Sequence, residues 1–159
     1  MHRDSESFGL HLIILPAPSG RIPTSAADEL SSTAEHVAMM FQFEFKASYF
    51  QEDHAHLLVT ATAKDDVPGF IGALLDELRS VIVACGGPFR RFTWDEAVHV
   101  TLLPPWHVEI LASFVRDQDR YHQTRTLEQE LDEVFRPNAL EPPEEMREPR
   151  ILFSADAAN

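Results

Sequence analysis

Asp53-His54-Ala55-His56-Leu57-Leu58-Val59-Thr60-Ala61-Thr62 is the stretch on which the fold turns. Its apolar, partly β-branched second half predicts a strand over residues 56–62. Residues two apart on a strand project from one face, so His54 and His56 are expected side by side, where two imidazoles can hold one divalent ion. An arbitrary His-x-His is more often a surface or half-buried pair without metal; the surroundings of this one raise its interest. Gln51-Glu52-Asp53 is polar enough to turn the chain before the strand, and Lys64-Asp65-Asp66 forms a charged loop after it.

Outward from this centre the pattern extends in both directions. Upstream, Phe43, Phe45 and Ala47 alternate with Gln42, Glu44 and Lys46, the period of a second strand ending near Phe50. Before it, Thr24 or Ser25 is expected to cap a helix carrying Leu30, Ala34, Val37, Ala38 and Phe41 at three- and four-residue steps. Phe8 to Leu15 is rich in β-formers and closes at Pro16, Pro18 and Gly20, so it reads as the first strand. Downstream, Asp66 or Asp65 is expected to cap a helix with Pro68 in its tolerated first turn and Phe70, Ile71, Leu74, Leu75, Leu78 and Ile82 as its buried stripe. Gly86-Gly87-Pro88 ends that helix, and Trp94 with Ala97 to Leu103 supplies a fourth strand.

The order strand, helix, strand, strand, helix, strand is the split βαβ arrangement, which predicts an α+β, ferredoxin-like βαββαβ sheet. Two additional C-terminal helices are expected. One opens at Pro104-Pro105 and runs through Ile110, Leu111, Phe114, Val115 and Gln118. The other is capped by Thr126 with Gln129 at its third position, and buries Leu127, Leu131, Val134 and Phe135. Residues 8–136 are thus expected to form one domain, followed by an acidic, proline-rich tail over 137–159 that includes Glu141-Pro142-Pro143-Glu144-Glu145. Within that tail Ile151-Leu152-Phe153 has the composition to dock as a short strand.

Composition narrows the function. The chain has 159 residues, with 13 Lys and Arg against 26 Asp and Glu, a formal net charge of −13. Its 44% hydrophobic content suits one sizeable core. Apolar runs such as Val81 to Cys85 fall far short of the roughly 20 residues of a membrane span. The polar N-terminal stretch lacks the apolar centre of a signal peptide, and the single cysteine, Cys85, forms no intramolecular disulfide. These features lead to the expectation of a soluble cytoplasmic protein. The charge opposes general attraction to nucleic-acid phosphates, because affinity there comes mainly from Lys and Arg displacing counterions.

Asp53 to Leu58 reproduces the Asp-His-x-His-Leu-Leu strand that is the hallmark of the single-tyrosine HUH transposases, the insertion-sequence two-hundred type and its REP-associated relatives, and the chain resembles that family. Phe92-Thr93-Trp94-Asp95 is similar to its Phe-x-Trp-Gln segment, Val108 to His122 to the following helix with its Tyr-Ile-x-x-Gln core, and Leu127-Glu128-Gln129-Glu130-Leu131 to the element after that. The similarity spans about Phe8 to Phe135. It implies that His54, His56 and Gln118 hold Mg or Mn, that the metal polarises a scissile phosphate in single-stranded or hairpin DNA, and that a tyrosine attacks to form a phosphotyrosine intermediate. It also implies a homodimer, since family members commonly build each site from two subunits with helices exchanged. Histidine and amide oxygen suit such a divalent ion, which keeps positions open for phosphate and water.

Two departures mark this sequence. Aligned on Gln118, the nucleophile position falls on Phe114, which has no hydroxyl. Tyr121 is the low-ranked substitute: it lies seven residues further on, nearly the same helix face but about 10 Å along the axis. The expected first loop and second helix are also poor in cations. The best basic patch is Arg90-Arg91 with Trp94, where guanidiniums can contact phosphates while aromatics stack bases, set against the plainer reading of a basic turn leading into core aromatics. Standard strand transfer is therefore expected to be lost, leaving a domesticated DNA-binding or DNA-processing derivative. Two alternatives compete with it: a non-catalytic metal- or protein-binding module, and a two-histidine phosphoesterase-like enzyme using His99 and Thr101, whose only further His-x-Thr match is His122-Gln123-Thr124. His11, His36 and His107 are read as ordinary structural or surface histidines.

Overall fold

The computed structural model describes residues 7–62, 66–117 and 151–153, the last stretch as backbone only. Four antiparallel strands, β1 (Phe8–Pro16), β2 (Glu44–Phe50), β3 (Ala55–Ala61) and β4 (Trp94–Leu103), form the sheet in the order β2-β3-β1-β4. A short fifth strand, β5 (Ile151–Phe153), adds to β4 in parallel. The helices are α1 (Ala27–Met40), α2 (Val67–Ala84) and α3 (Val108–Arg116). The fold is the α+β, ferredoxin-like arrangement expected from the order of elements, with β5 drawn from the acidic C-terminal segment. The part of the first expected C-terminal helix that carries Gln118 and Tyr121, and the whole of the second, capped by Thr126, lie outside the described residues.

Alternation of side chains across the strands divides the interior in two. Leu10, Leu12, Ile14, Leu57, Val59, Val98, Val100 and Leu102 face α1 and α2 and close the main core with Leu30, Val37, Phe70, Leu74 and Leu78. Truncating a fully buried leucine here, such as Leu12, costs about 2–5 kcal/mol. The opposite face carries a smaller core in which Ile13, Ala47, Leu58 and Leu103 meet Val108, Leu111, Ala112 and Val115. Strand β1, covered on both faces, is therefore apolar nearly throughout and does not alternate.

Several local expectations shift by a residue or a mechanism. Thr24 and Ser25 do not cap α1 with their side chains; a 3₁₀ turn over Thr24–Ala26 precedes the helix and supplies i to i+3 hydrogen bonds instead, the Ala26 N–H donating to Pro23 O at 3.0 Å. Asp66 makes no side-chain cap on α2, while Pro68 sits in its first turn as expected. Phe43 lies ahead of β2, because Gln42 at φ 61° turns the chain, and its ring packs 5.1 Å from that of Phe70. A bulge between Phe45 and Ala47 then breaks the period of two: Phe45 packs on the main core and Ala47 belongs to the smaller one. After α2, Gly86 at φ 76° lets the chain leave the helix, a conformation that glycine adopts without strain.

Helix α3 lies across β2 and β3. At its first turn Val108 packs on Gly9, where the missing side chain lets helix and strand approach closely. Further along, Arg116 donates to Lys46 O at 3.3 Å, and Lys46 Nζ bonds Glu109 at 3.1 Å and Glu44 at 3.3 Å. The Glu109 hydrogen bond, ahead of Glu44, holds the Lys46 ammonium above its ordinary pKa. Such an exposed pair contributes only about 0.2–1 kcal/mol, so the apolar face of α3 determines its seat.

Candidate functional site

The chain places a row of polar side chains on the sheet face beneath α3. Because Ala55 turns its methyl into the main core, its neighbours His54 and His56 project to the other side, as expected for residues two apart at a strand start. Both imidazoles are buried, at 2% and 0% exposure, and their ring centroids lie 4.9 Å apart with planes at 79°. The His54 Nδ1–H donates to Asp53 Oδ1 at 2.7 Å. His56 Nδ1 shares a hydrogen bond of 3.0 Å with His11 Nε2, the ring planes within 16° of one another. Each ring is thus gripped at Nδ1 by a second residue, the arrangement that orients metal-binding histidines.

His11 reaches this place because β1 pairs with both β3 and β4. The register sets His11 opposite Leu58 and Thr101, and Ile13 opposite His56 and His99. His11, His56, His99 and Thr101 consequently share one face. Burial, with the His56 charge as a smaller contribution, pushes the His11 pKa well below the ordinary imidazole value. Burial also lowers His99, against an opposing pull from Asp95. Thr101 is buried beside His11 on this register, and the other half expected for a paired phosphoesterase site, His122 and Thr124, lies outside the described residues.

Helix α3 closes the row from above. Phe114 faces His56 edge-on, with ring centroids 6.3 Å apart. The residue expected at the nucleophile position thus presents an apolar ring over the histidine pair. Gln118 and Tyr121 fall outside the described residues. Among the described residues, no group of three or more His, Cys, Asp or Glu side chains is arranged to hold a metal. His54 and His56 therefore fit as two ligands of a set that needs at least one more donor, and with Nδ1 engaged in each ring the atom that would face a metal is Nε2.

On the outer side of His54, a cleft of about 400 Å³ is lined by Gln51, Glu52, Asp53 and His54. Its carboxylates favour a cation and oppose a phosphate. Its neighbour is the β1–α1 loop, tied to it by the Ile22 N–H donating to Glu52 O at 2.9 Å. That loop forms one wall of a second cleft, of about 250 Å³, whose lining includes Arg21, Phe89, Arg91 and Thr93. Arg90 and Arg91 are exposed as a basic turn should be. Trp94, however, is turned inward: its indole N–H donates to Leu75 O at 3.0 Å and its ring meets Phe92 edge-on at 4.7 Å. The aromatics that line this cleft with Arg91 are half-buried Phe89 and buried Phe92, and Arg21, which sequence reasoning passed over, joins Arg91 from a loop distant in sequence.

No family model matches the chain, and no curated protein matches it by sequence. Solved structures do share its fold. A candidate transposase from Deinococcus radiodurans R1 superposes with a TM-score of 0.53 at 19% identity, over 70% of this chain and 91% of that one. A REP-associated tyrosine transposase bound to a REP hairpin superposes with a TM-score of 0.56 at 15% identity, over 82% of this chain and 76% of that one. Among the described residues no helix is long and apolar enough to cross a membrane.

Proposed function

We propose that this chain, folded like the tyrosine transposases, is a single-tyrosine HUH-type derivative that binds hairpin or single-stranded DNA beside a divalent-metal site and has lost standard strand transfer. The observation that carries the reading is the buried His54–His56 pair, each ring held at Nδ1, lying under a helix whose facing residue is Phe114. A strand motif shared with the family and a fold shared with its members support it independently.

In this reading His54 and His56 hold Mg or Mn through Nε2, with Gln118 as the further donor. When bound, the ion supplies Lewis-acid polarisation of a phosphodiester and fixes its orientation. Asp53 holds the His54 tautomer, and Glu52 and Asp53 raise the local cation concentration at the cleft mouth. Phe114 offers no oxygen for attack on phosphorus; it excludes water from one side of the pair and fills the space between helix and sheet. The acidic surface confines DNA contact to the end of the sheet where Arg21, Arg90 and Arg91 stand, with Phe89 as the stacking surface. A homodimer is part of the same proposal, by likeness to the family alone, as is a compact domain spanning residues 8–136.

The test is incubation with a hairpin-bearing single strand and Mn, read by denaturing electrophoresis and by binding titration. Salt-sensitive hairpin binding without a covalent adduct is expected. A covalent adduct lost in Tyr121→Phe would overturn the loss of strand transfer, and hairpin affinity no greater than that of an unrelated acidic protein would overturn the DNA reading. Mn binding by calorimetry is expected to disappear in His54→Ala/His56→Ala.

A further inference from the structure

We infer that His11 is the positioning residue of the His56 metal edge, setting the tautomer in which His56 Nε2 can ligate a divalent cation. The inference rests on the proposed metal site and extends it to a residue one strand away and 45 positions earlier in the chain. His54 needs no such device, because its partner Asp53 is a carboxylate, which only accepts; neutral His54 therefore carries its proton on Nδ1 and its lone pair on Nε2.

For His56 the partner is a second imidazole, and the 3.0 Å contact between His11 Nε2 and His56 Nδ1 holds one proton. Two arrangements satisfy it. If His11 donates, His56 carries its own proton on Nε2 and cannot ligate. If His56 donates, its Nε2 carries a lone pair rather than a proton, as His54 Nε2 does, and the His11 proton sits on Nδ1. Only the second arrangement makes the two rings a matched pair of ligands.

The geometry favours a dedicated role over incidental packing. Both rings are essentially sealed from solvent, at 1% and 0% exposure, so water cannot substitute for either partner. The near-coplanar rings put the shared proton in the plane of both lone pairs. His11 lies on the central strand, locked by ladders on both sides, so the acceptor is as rigid as the sheet itself. An apolar residue at this position would leave a buried His56 Nδ1–H without its acceptor.

Two measurements on the full chain decide the matter. Long-range nitrogen–proton correlation of the imidazoles in the metal-free and Mg-loaded protein reads the tautomer directly. The Nδ1–H form of His56 is expected in the Mg-loaded protein; an Nε2–H form there overturns the inference. Mn affinity by calorimetry is expected to fall 10- to 100-fold in His11→Phe, the range for lost outer-shell partners, and to recover in part in His11→Gln, whose amide oxygen can accept from His56. Equal affinity in wild type, His11→Phe and His11→Gln overturns the role of His11 while leaving the metal site intact. Loss of affinity in His11→Gln as complete as in His11→Phe likewise refutes hydrogen-bond acceptance as its role. Absence of Mn binding in wild type, or binding unchanged by His56→Ala, removes the metal reading on which the inference stands.

Discussion

Replacing Gly9 with alanine probes how α3 is seated over the site. An ideal Cβ at position 9 lies 2.7 Å from Val108 Cγ2 and 3.1 Å from Leu103 Cβ. Carbon pairs are comfortable at about 3.5–4.0 Å, so the closer contact is short by about 0.8 Å. Neither neighbour gives way easily. The Leu103 Cβ is fixed to its backbone, and Val108, 3% exposed in the first turn of α3, has one strongly preferred rotamer in a helix. Relief requires the N-terminal end of α3 to lift, at a cost of about 1–3 kcal/mol for overpacking. The loss of glycine's freedom in the unfolded chain returns only about 0.4–1 kcal/mol. A net destabilisation of about 1–2 kcal/mol is expected, read as a drop of roughly 0.5–1 M in the urea midpoint if m is about 2 kcal/mol/M. Val108→Ala removes the clashing methyl at its own cost of about 1–3 kcal/mol. In the double variant the cost of Gly9→Ala should shrink, a coupling of about 0.5–2 kcal/mol, with the 3.1 Å contact to Leu103 Cβ remaining. Hydrogen exchange should accelerate in α3 before it does so in α2. An unchanged midpoint in Gly9→Ala, or an equal cost with and without Val108, would falsify the close seat of α3 on β1.

Phe114→Tyr should restore a hydroxyl above His56, so a covalent adduct with hairpin DNA and Mn is expected on denaturing electrophoresis; no adduct despite intact Mn binding would place the nucleophile position elsewhere. Arg21→Ala/Arg91→Ala should weaken single-stranded DNA binding and reduce the magnitude of its log-affinity against log-salt slope by about 1.4, or 0.7 per lost phosphate contact; an unchanged slope would remove the second cleft from the DNA path. Burial lowers the His99 pKa in the folded chain, so below about pH 6.5 the unfolded chain binds more protons and stability falls with pH. One such group adds a slope of at most about 1.4 kcal/mol per pH unit. In His99→Gln, urea midpoints taken from pH 7.5 to 5 should decline less steeply than in wild type, and an identical decline would show that His99 protonates alike in both states.

Much of the architecture was legible in the residues because hydrophobic period and turn chemistry are local. The alternation before Phe50, the Leu74-Leu75-Leu78-Ile82 stripe and the Gly86-Gly87-Pro88 stop each specify an element without reference to the rest of the chain. The same locality failed at Lys46, where a bulge moved Ala47 to the opposite core, since a bulge is set by pairing with β3 rather than by composition. It failed at Trp94 as well: an aromatic beside two arginines reads as a stacking surface until Leu75 O is seen to take its indole proton.

The site divides along the same line. From the sequence alone, the adjacency of His54 and His56 follows, because two residues on one strand share a face whatever the fold, and so does the absence of a hydroxyl at Phe114. Adjacency across strands does not follow, because register is decided by the whole sheet. Only the tertiary structure brings His11 to His56, Arg21 to the cleft that Arg91 lines, and Phe114 to His56, for each of these meetings joins segments far apart in the chain. The sequence determined which chemical groups the chain owns and in which local order. Long-range pairing of β1 with β3 and β4, and the seat of α3 on Gly9, decided which of them act on one another.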